Sequence, residues 1–422
     1  MVDVIIVGAG AAGLAAADRL REAGVTSILL EARDRIGGRM HTDTTFANFP
    51  IDVGAEFIHG ETAATWKYVR RFGLETIEVP RYAHLRWGKP AYRLEHTPAP
   101  QRTKIRALFD AYERLIDKAD EYADYDISLA EYFESQGFDQ EALNSADVLF
   151  AQSWCARMDN LSAADMIREL QVDRAGKRDF RLKHGYQSLL TPLAAPLDIR
   201  LNTHVSAIRQ NHDGVTITTQ TGASWSGRAV LVTVPIALLQ AGVITFEPGL
   251  SDRKHDAIHA FRMEAATKLI YKFSERVWED DLVFMAADMP MPRWWTPDYQ
   301  RIGADAVIAN YSTADRADAI DQASEAYALV VGLAVLEKML DQSDLSPLVT
   351  DTRRVSWAAD PYARGGYASL PPGNAWARSA LAEPEGAVYF AGEAVTDHTN
   401  PQTVHGAVES GWRAAQQILS RL

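Results

Sequence analysis

Glycines at positions 8, 10 and 13 follow an apolar run, Asp3 to Val7, and stand before a stretch of helical composition. At this spacing the first glycine allows a tight turn, the second leaves room for a phosphate against the backbone, and the third lets the helix pack on the strand. Unpaired N–H groups at the helix start favour negative charge, so Gly8, Gly10, Ala12 and Gly13 read as a dinucleotide phosphate cradle. A second strand, Thr26 to Leu30, ends in Glu31. A carboxylate there can accept both hydroxyls of an adenosine ribose and repel a 2′-phosphate. The next segment, ARDRIGGRMHT, sets Gly37 and Gly38 between Arg35 and Arg39. These added backbone donors and guanidinium groups suit an extended pyrophosphate ligand such as FAD. No second glycine fingerprint offers a site for NADPH, so electrons are expected to reach the flavin directly from substrate.

Lys268 lies in ATKLIYKF among apolar neighbours. A lysine buried in a strand is costly without a partner or a task, which makes it a catalytic candidate. Lys272, on the same strand, is the contrasting case of a lysine whose stem runs outward to water.

The elements that must hold these residues are legible in outline. Helical spacing from Gln101 to Asp173, clearest in Ile105, Leu108, Tyr112 and Leu115, predicts a helical insertion packed by that stripe. Residues 183–195 read as a glycine turn and helix, and strands are expected at 199–208, 215–220 and 229–235. Between Phe246 and Ala375 the pattern predicts strands at 266–273 and 306–311 and a helix at 324–340. The chain closes from Ala387 with a strand, a loop and a helix beginning near Thr403.

With 422 residues the chain exceeds one compact core, and two domains are the default. Its composition, 47 % apolar and 23 % charged, is that of an ordinary globular protein. No segment has the run of apolar residues that a membrane span needs, and the apolar start lacks the marks of a signal peptide, so a cytoplasmic address is expected. A net charge of −13 argues against nucleic acid as partner and is compatible with cationic ones. The single cysteine, Cys155, excludes an internal disulfide and a cysteine zinc site, and is expected to pack as a small apolar residue beside Trp154. No metal is expected.

Six pieces of the chain, in order, resemble the flavin-containing amine oxidase family: VGAGAAGL at 7–14, EARDRIGGR at 31–39, DVGAEFIHG at 52–60, TKL around Lys268, DPYARGGY at 360–367, and YFAGEAVTDHTNPQTVHGAVESGWRAA at 389–415. That family includes monoamine oxidases, polyamine oxidases, histone demethylases and L-amino-acid oxidases. The resemblance implies an α/β fold: a discontinuous Rossmann-like FAD-binding domain (1–64, 183–254, 375–422) with a mixed α+β substrate-binding domain (65–182, 255–374). It implies FAD contacts from Ala32, Arg33, Gly38, Arg39, Gly54, Ala55, Glu56 and Val205. It also places Gly392 and Glu393 beside the phosphate and ribityl chain, and Thr403 and Val404 near the isoalloxazine C2 carbonyl. Trp357 is read as a wall of the same site, with Trp294 and Trp295 as further candidates.

Lys268 matches the lysine that holds a water near flavin N5 and assists reaction with oxygen. Gly366 stands where monoamine oxidases carry the cysteine bonded to flavin, so the FAD is expected to be non-covalent. Tyr367 matches the first of the two tyrosines before the flavin ring, while Asn400 and Thr403 stand where relatives often have the second. His59 resembles the histidine at the mouth of polyamine oxidases, either positioning substrate or accepting a proton, or else capping a turn; His405 is expected to be structural. Lys268, Tyr367 and His59 are the catalytic candidates.

The implied reaction is hydride transfer from an amine α-carbon to flavin N5, hydrolysis of the imine, and reoxidation by O2 to hydrogen peroxide. Glu56 and Glu61 near His59 favour an amine with a further cationic group, such as a di- or polyamine. An L-amino-acid oxidase would need a pocket arginine, for which Arg157, Arg168 and Arg293 are candidates. A desaturase or protoporphyrinogen-type oxidase and a non-catalytic flavoprotein scaffold are the alternatives of other classes. A small-molecule amine and O2 are the expected partners, without nucleic acid or membrane, and a homodimer is compatible with all of this.

Overall fold

The computed structural model describes residues 2–396 and 400–422; His398 and Thr399 of the 398–406 stretch lie outside them. Val4 to Val7 are all buried because their strand is central in a parallel sheet covered on both faces. Val4 and Ile6 pack with the helices Ala11–Glu22 and Val404–Leu419, while Ile5 and Val7 face an opposite core. The parallel order runs Asp198–Arg200, Ser27–Leu30, Val2–Val7, Ser224–Val232, Val388–Phe390. An antiparallel hairpin, Val205–Asn211 with Gly214–Thr219, extends from Ser224–Val232. The two covering helices meet through small residues; a Cβ on Gly411 would lie 2.3 Å from the Ala12 carbonyl oxygen.

A second sheet has the order Val349–Ser356, Ala266–Phe273, Ala306–Thr313, Arg293–Trp295, Phe284–Ala286, Leu85–Trp87, Tyr92–Arg93. Strand periodicity divides it. Leu269, Tyr271, Ile308 and Trp294 pack against the helices Ala314–Gln322 and Glu325–Leu340, and Ile270, Ala309 and Trp295 face the helical insertion. In that insertion Ile105, Leu108 and Leu115 are fully buried, and Tyr112 stacks on Phe150. Its helices start where the chain offers caps: Ser128 with Glu131 forms a reciprocal capping pair, and Ser162 caps Ala163–Val172.

Element positions follow the sequence reading, with instructive differences. The expected strand at 199–208 is two strands, since 201–204 leave the parallel sheet before the hairpin begins. The strand expected from Ala229 starts at Ser224, in a polar half exposed on alternate residues, and ends at Val232. Thr233 then turns its hydroxyl onto the Val7 and Gly8 carbonyls. Helix Ala314–Gln322 and strand Val349–Ser356 were not anticipated.

One buried ion pair ties the insertion to the segment before the last strand. Arg378 donates from Nε and Nη2 to the two carboxylate oxygens of Asp165, at 2.8 and 2.7 Å, with both side chains fully buried. Arg378→Met strands the Asp165 carboxylate with only Arg168 beside it. Denaturant unfolding should show a loss of about 3–5 kcal/mol. Combining it with Asp165→Leu should recover a large part of the loss.

Candidate active site

The first turn is built by glycine geometry. Gly8 sits at φ +107°, and a Cβ on Gly13 would come 2.1 Å from the Gly8 carbonyl oxygen. Gly10 caps the helix without a side chain, and a Cβ there would meet nothing within 4 Å, because it faces open space. The Glu31 carboxylate accepts from the Ala9 and Arg33 N–H groups, bending the second strand's end toward the turn. Gly38, at φ +58°, opposes Gly10, and Gly392, at φ +144°, also faces open space. Gly54 is a close-packing position, where a Cβ would lie 1.9 Å from the Arg39 carbonyl. Thr403 caps the last helix by accepting from Gly406 N–H.

Gly8, Gly10, Ala12, Glu31, Ala32, Arg33, Gly38, Arg39, Gly54, Ala55, Glu56, Val205, Trp357, Gly392, Glu393, Thr403 and Val404 all line one elongated cavity of about 600 Å³. Lys268, Tyr367 and His59 line the same cavity, Lys268 next to Gly54 and Glu56. Gly13 is the exception among the expected residues, packed beneath the turn. The two arginines flanking Gly37 and Gly38 also bond neighbouring loops. Arg35 lies off the cavity and donates to the Ile36 and Gly38 carbonyls, while Arg39 bonds Glu393 and the Gly366 carbonyl. Both hold loops in place.

At the far end, antiparallel register sets Lys268 beside Tyr311 and Tyr311 beside Arg293, so three chemically active side chains share a row. Lys268 is buried, and Nζ donates to the Asp52 carbonyl (2.8 Å), the Gly54 carbonyl (3.0 Å) and Glu56 Oε2 (3.0 Å). Glu56 also accepts from Trp295 Nε1 at 2.9 Å and lies 2.8 Å from Arg181 Nε. Burial alone would raise the Glu56 carboxyl, but Lys268 and Arg181 outweigh it and hold it below the usual carboxylate range. Burial pushes the neighbouring Asp52 carboxyl up to about 7, against hydrogen bonds from Thr42 and Tyr186.

The Tyr311 hydroxyl donates to that of Tyr367 (2.8 Å), which donates to the Ser153 carbonyl (3.1 Å). His59 bonds Asp179 through Nδ1 at 2.7 Å, and Asp179 also pairs with Arg81. On the helical side, Glu169 lines the cavity and accepts from Asn400 Nδ2, with burial pushing its carboxyl up to about 7.

A flavin containing amine oxidoreductase family model matches residues 11–419. This chain belongs to that family. Polyamine oxidase 4 of Oryza sativa subsp. japonica is 28% identical over 456 residues, covering 99% of this chain and 89% of that protein. Lysine-specific histone demethylase 2 of Homo sapiens is 29% identical over 460 residues, covering 98% of this chain and 53% of that protein. Among solved structures, a putrescine oxidase bound to putrescine superposes with a TM-score of 0.87 at 22% identity, covering 100% of this chain and 99% of the other. The chain is therefore a flavin-dependent oxidoreductase with an α/β amine oxidase fold. Among the described residues no helix is long and apolar enough to cross a membrane.

Within this amine oxidase fold several expectations change. Glu56 is not available to a substrate cation, because Lys268, Arg181 and Trp295 surround it. Glu61 is half-buried, receives the Arg178 N–H and stands outside the cavity. Trp295 lines the cavity, but Trp294, one residue away on the strand, points into the opposite core. Arg157 is exposed on Asp159 and Asp315, and Arg168 leans on Asp165, so of these three arginines Arg293 is the one that lines the cavity.

Asn400 and Thr403 provide no second aromatic; Tyr311 is the tyrosine that accompanies Tyr367. His405 bonds Asn400, and burial pushes its imidazole down to about 3, which keeps it neutral. Tyr311, Arg81, Ser153 and Glu169 escaped sequence reading, for lack of any local signal.

Gly366 packs on Cys155, whose thiol contacts the Glu264 and Ala265 carbonyls and is pushed up to about 12 by burial. With glycine at 366 and the one thiol buried and protonated, no sulfur is poised to bond the flavin. Acid or heat precipitation should release all yellow colour into the supernatant, measured by absorbance; colour in the pellet would refute non-covalent binding.

Proposed function

We propose that the protein oxidises a C–N bond of a small amine with bound FAD and passes the electrons to O2, yielding hydrogen peroxide and an imine that hydrolyses in water. The observation carrying this reading is the continuity of one cavity from the glycine turns to the Lys268, Tyr311 and Tyr367 cluster. FAD, when bound, supplies the two-electron acceptor for the α-hydrogen. The chain supplies position and polarity. In this reading residues 1–64, 183–254 and 375–422 hold the cofactor, and 65–182 and 255–374 form the substrate side.

Phe57, Trp295 and Tyr367 give the reacting end aromatic walls. With His59 Nδ1 on Asp179, Nε2 is the acceptor for the proton an ammonium must lose before oxidation. Glu169, rather than Glu56 or Glu61, is the carboxylate that could hold a further cationic group of the substrate. The names of the relatives, polyamine oxidase and putrescine oxidase, agree with such a substrate.

Anaerobic bleaching of the flavin by a panel of amines tests the reaction class, and a flavin that no amine bleaches would overturn it. Lys268→Met should retain FAD while lowering turnover or flavin reoxidation by on the order of 10²-fold in stopped-flow. Because burial pushes the Glu169 carboxyl up to about 7, kcat/KM for a diamine should rise with pH through that value. Glu169→Gln should remove that limb of the profile.

A further inference from the structure

We propose that Arg293 is a carboxylate-binding residue, and that the amine oxidised by this protein also bears a carboxylate. The inference rests on the amine oxidase reading of the same cavity and names its substrate class.

Arg293 is 1% exposed and lines the reacting end of the cavity. Its Nη1 donates to Ser153 Oγ at 2.8 Å, and its guanidinium lies 5.4 Å from the centre of the Phe284 ring. Nε has no acceptor, and among the described residues no carboxylate stands within ion-pair distance. The other buried or half-buried cations along this cavity differ. Lys268 has Glu56, Arg33 has Asp360, Arg39 has Glu393 and Arg81 has Asp179. A guanidinium taken from water without an anion is costly, and its planar fork is shaped for a carboxylate.

Position supports the same assignment. Lys268, Tyr311 and Arg293 are directly paired across three adjacent strands, so their side chains share the cavity face, with the outer two Cα atoms about 10 Å apart by strand spacing. An amine reacting near Lys268 therefore has a cation within side-chain reach on the Arg293 side. Glu169 lines the same cavity from the helical insertion. A guanidinium without an ion pair and a carboxyl group in one cavity suit an amino acid carrying a second basic group better than a plain diamine.

Matched pairs differing only in the carboxylate test this on the holoenzyme: L-ornithine against putrescine, and L-lysine against cadaverine, followed by anaerobic flavin reduction. The amino acid should win each pair, and Arg293→Met should lower its kcat/KM by on the order of 100-fold, mainly through KM, while changing the diamine less than about threefold. Benzoate should perturb the flavin spectrum of the parent enzyme and not of Arg293→Met, with Arg293→Lys, matched for flavin content, restoring part of the response.

Diamines preferred by tenfold or more would overturn the proposal and leave amine oxidation standing. Equal losses for both members of a pair, with an altered flavin spectrum, would assign Arg293 to the cofactor and also overturn it. If no amine reduces the flavin, the reaction class fails, and the benzoate titration alone decides whether Arg293 binds a carboxylate.

Discussion

The ion pair between Lys268 and Glu56 is the contact on which the rest of the site depends. Its ammonium also holds the Asp52 and Gly54 carbonyls, which fixes the segment running from the first glycine turns to the substrate side. Its carboxylate gathers Arg181 and the Trp295 indole, and Arg181 reaches on to the Thr296 carbonyl. Buried charges are tolerable only when their partners are all in place, so the strands carrying them cannot shift independently. The cofactor cradle and the reacting end are thereby held in one frame.

The parts of this arrangement that were readable in sequence are those set by local chemistry. A strand, a glycine turn, a helix and a terminal Glu31 follow one another within about thirty residues, and each step has its own requirement. The strand at 266–273 was legible from its apolar, β-favouring residues, Leu269, Ile270, Tyr271 and Phe273, and Lys268 stood out against them. Registers between distant strands leave no such mark. Nothing near Tyr311 or Arg293 signals that both lie beside Lys268; antiparallel pairing across the second sheet brings them there. Tyr311 accompanies Tyr367 from a strand fifty-six residues earlier, far from the Asn400 region where an aromatic was sought.

Proximity along the chain also misled. Glu56 and Glu61 are neighbours in sequence, yet one is sealed against Lys268 and the other faces water on Arg178. Trp294 and Trp295 diverge for a simpler reason, the two-residue period of a strand. Arg39 lines the cavity and Arg35 lies off it, and the donors of both serve loop carbonyls or Glu393. Short polar segments offer a guanidinium several acceptors, and sequence does not rank them.

The contact between Gly366 and Cys155 bears on how such a chain could evolve. A Cβ at 366 would sit 2.6 Å from the Ala266 Cβ and 2.7 Å from the Cys155 sulfur. Acquiring a covalent cofactor link at this position is therefore not a one-step path: a new thiol there would first collide with the existing one. Room would have to be made around both 155 and 266 beforehand, so a side chain at 366 calls for linked changes rather than a single one.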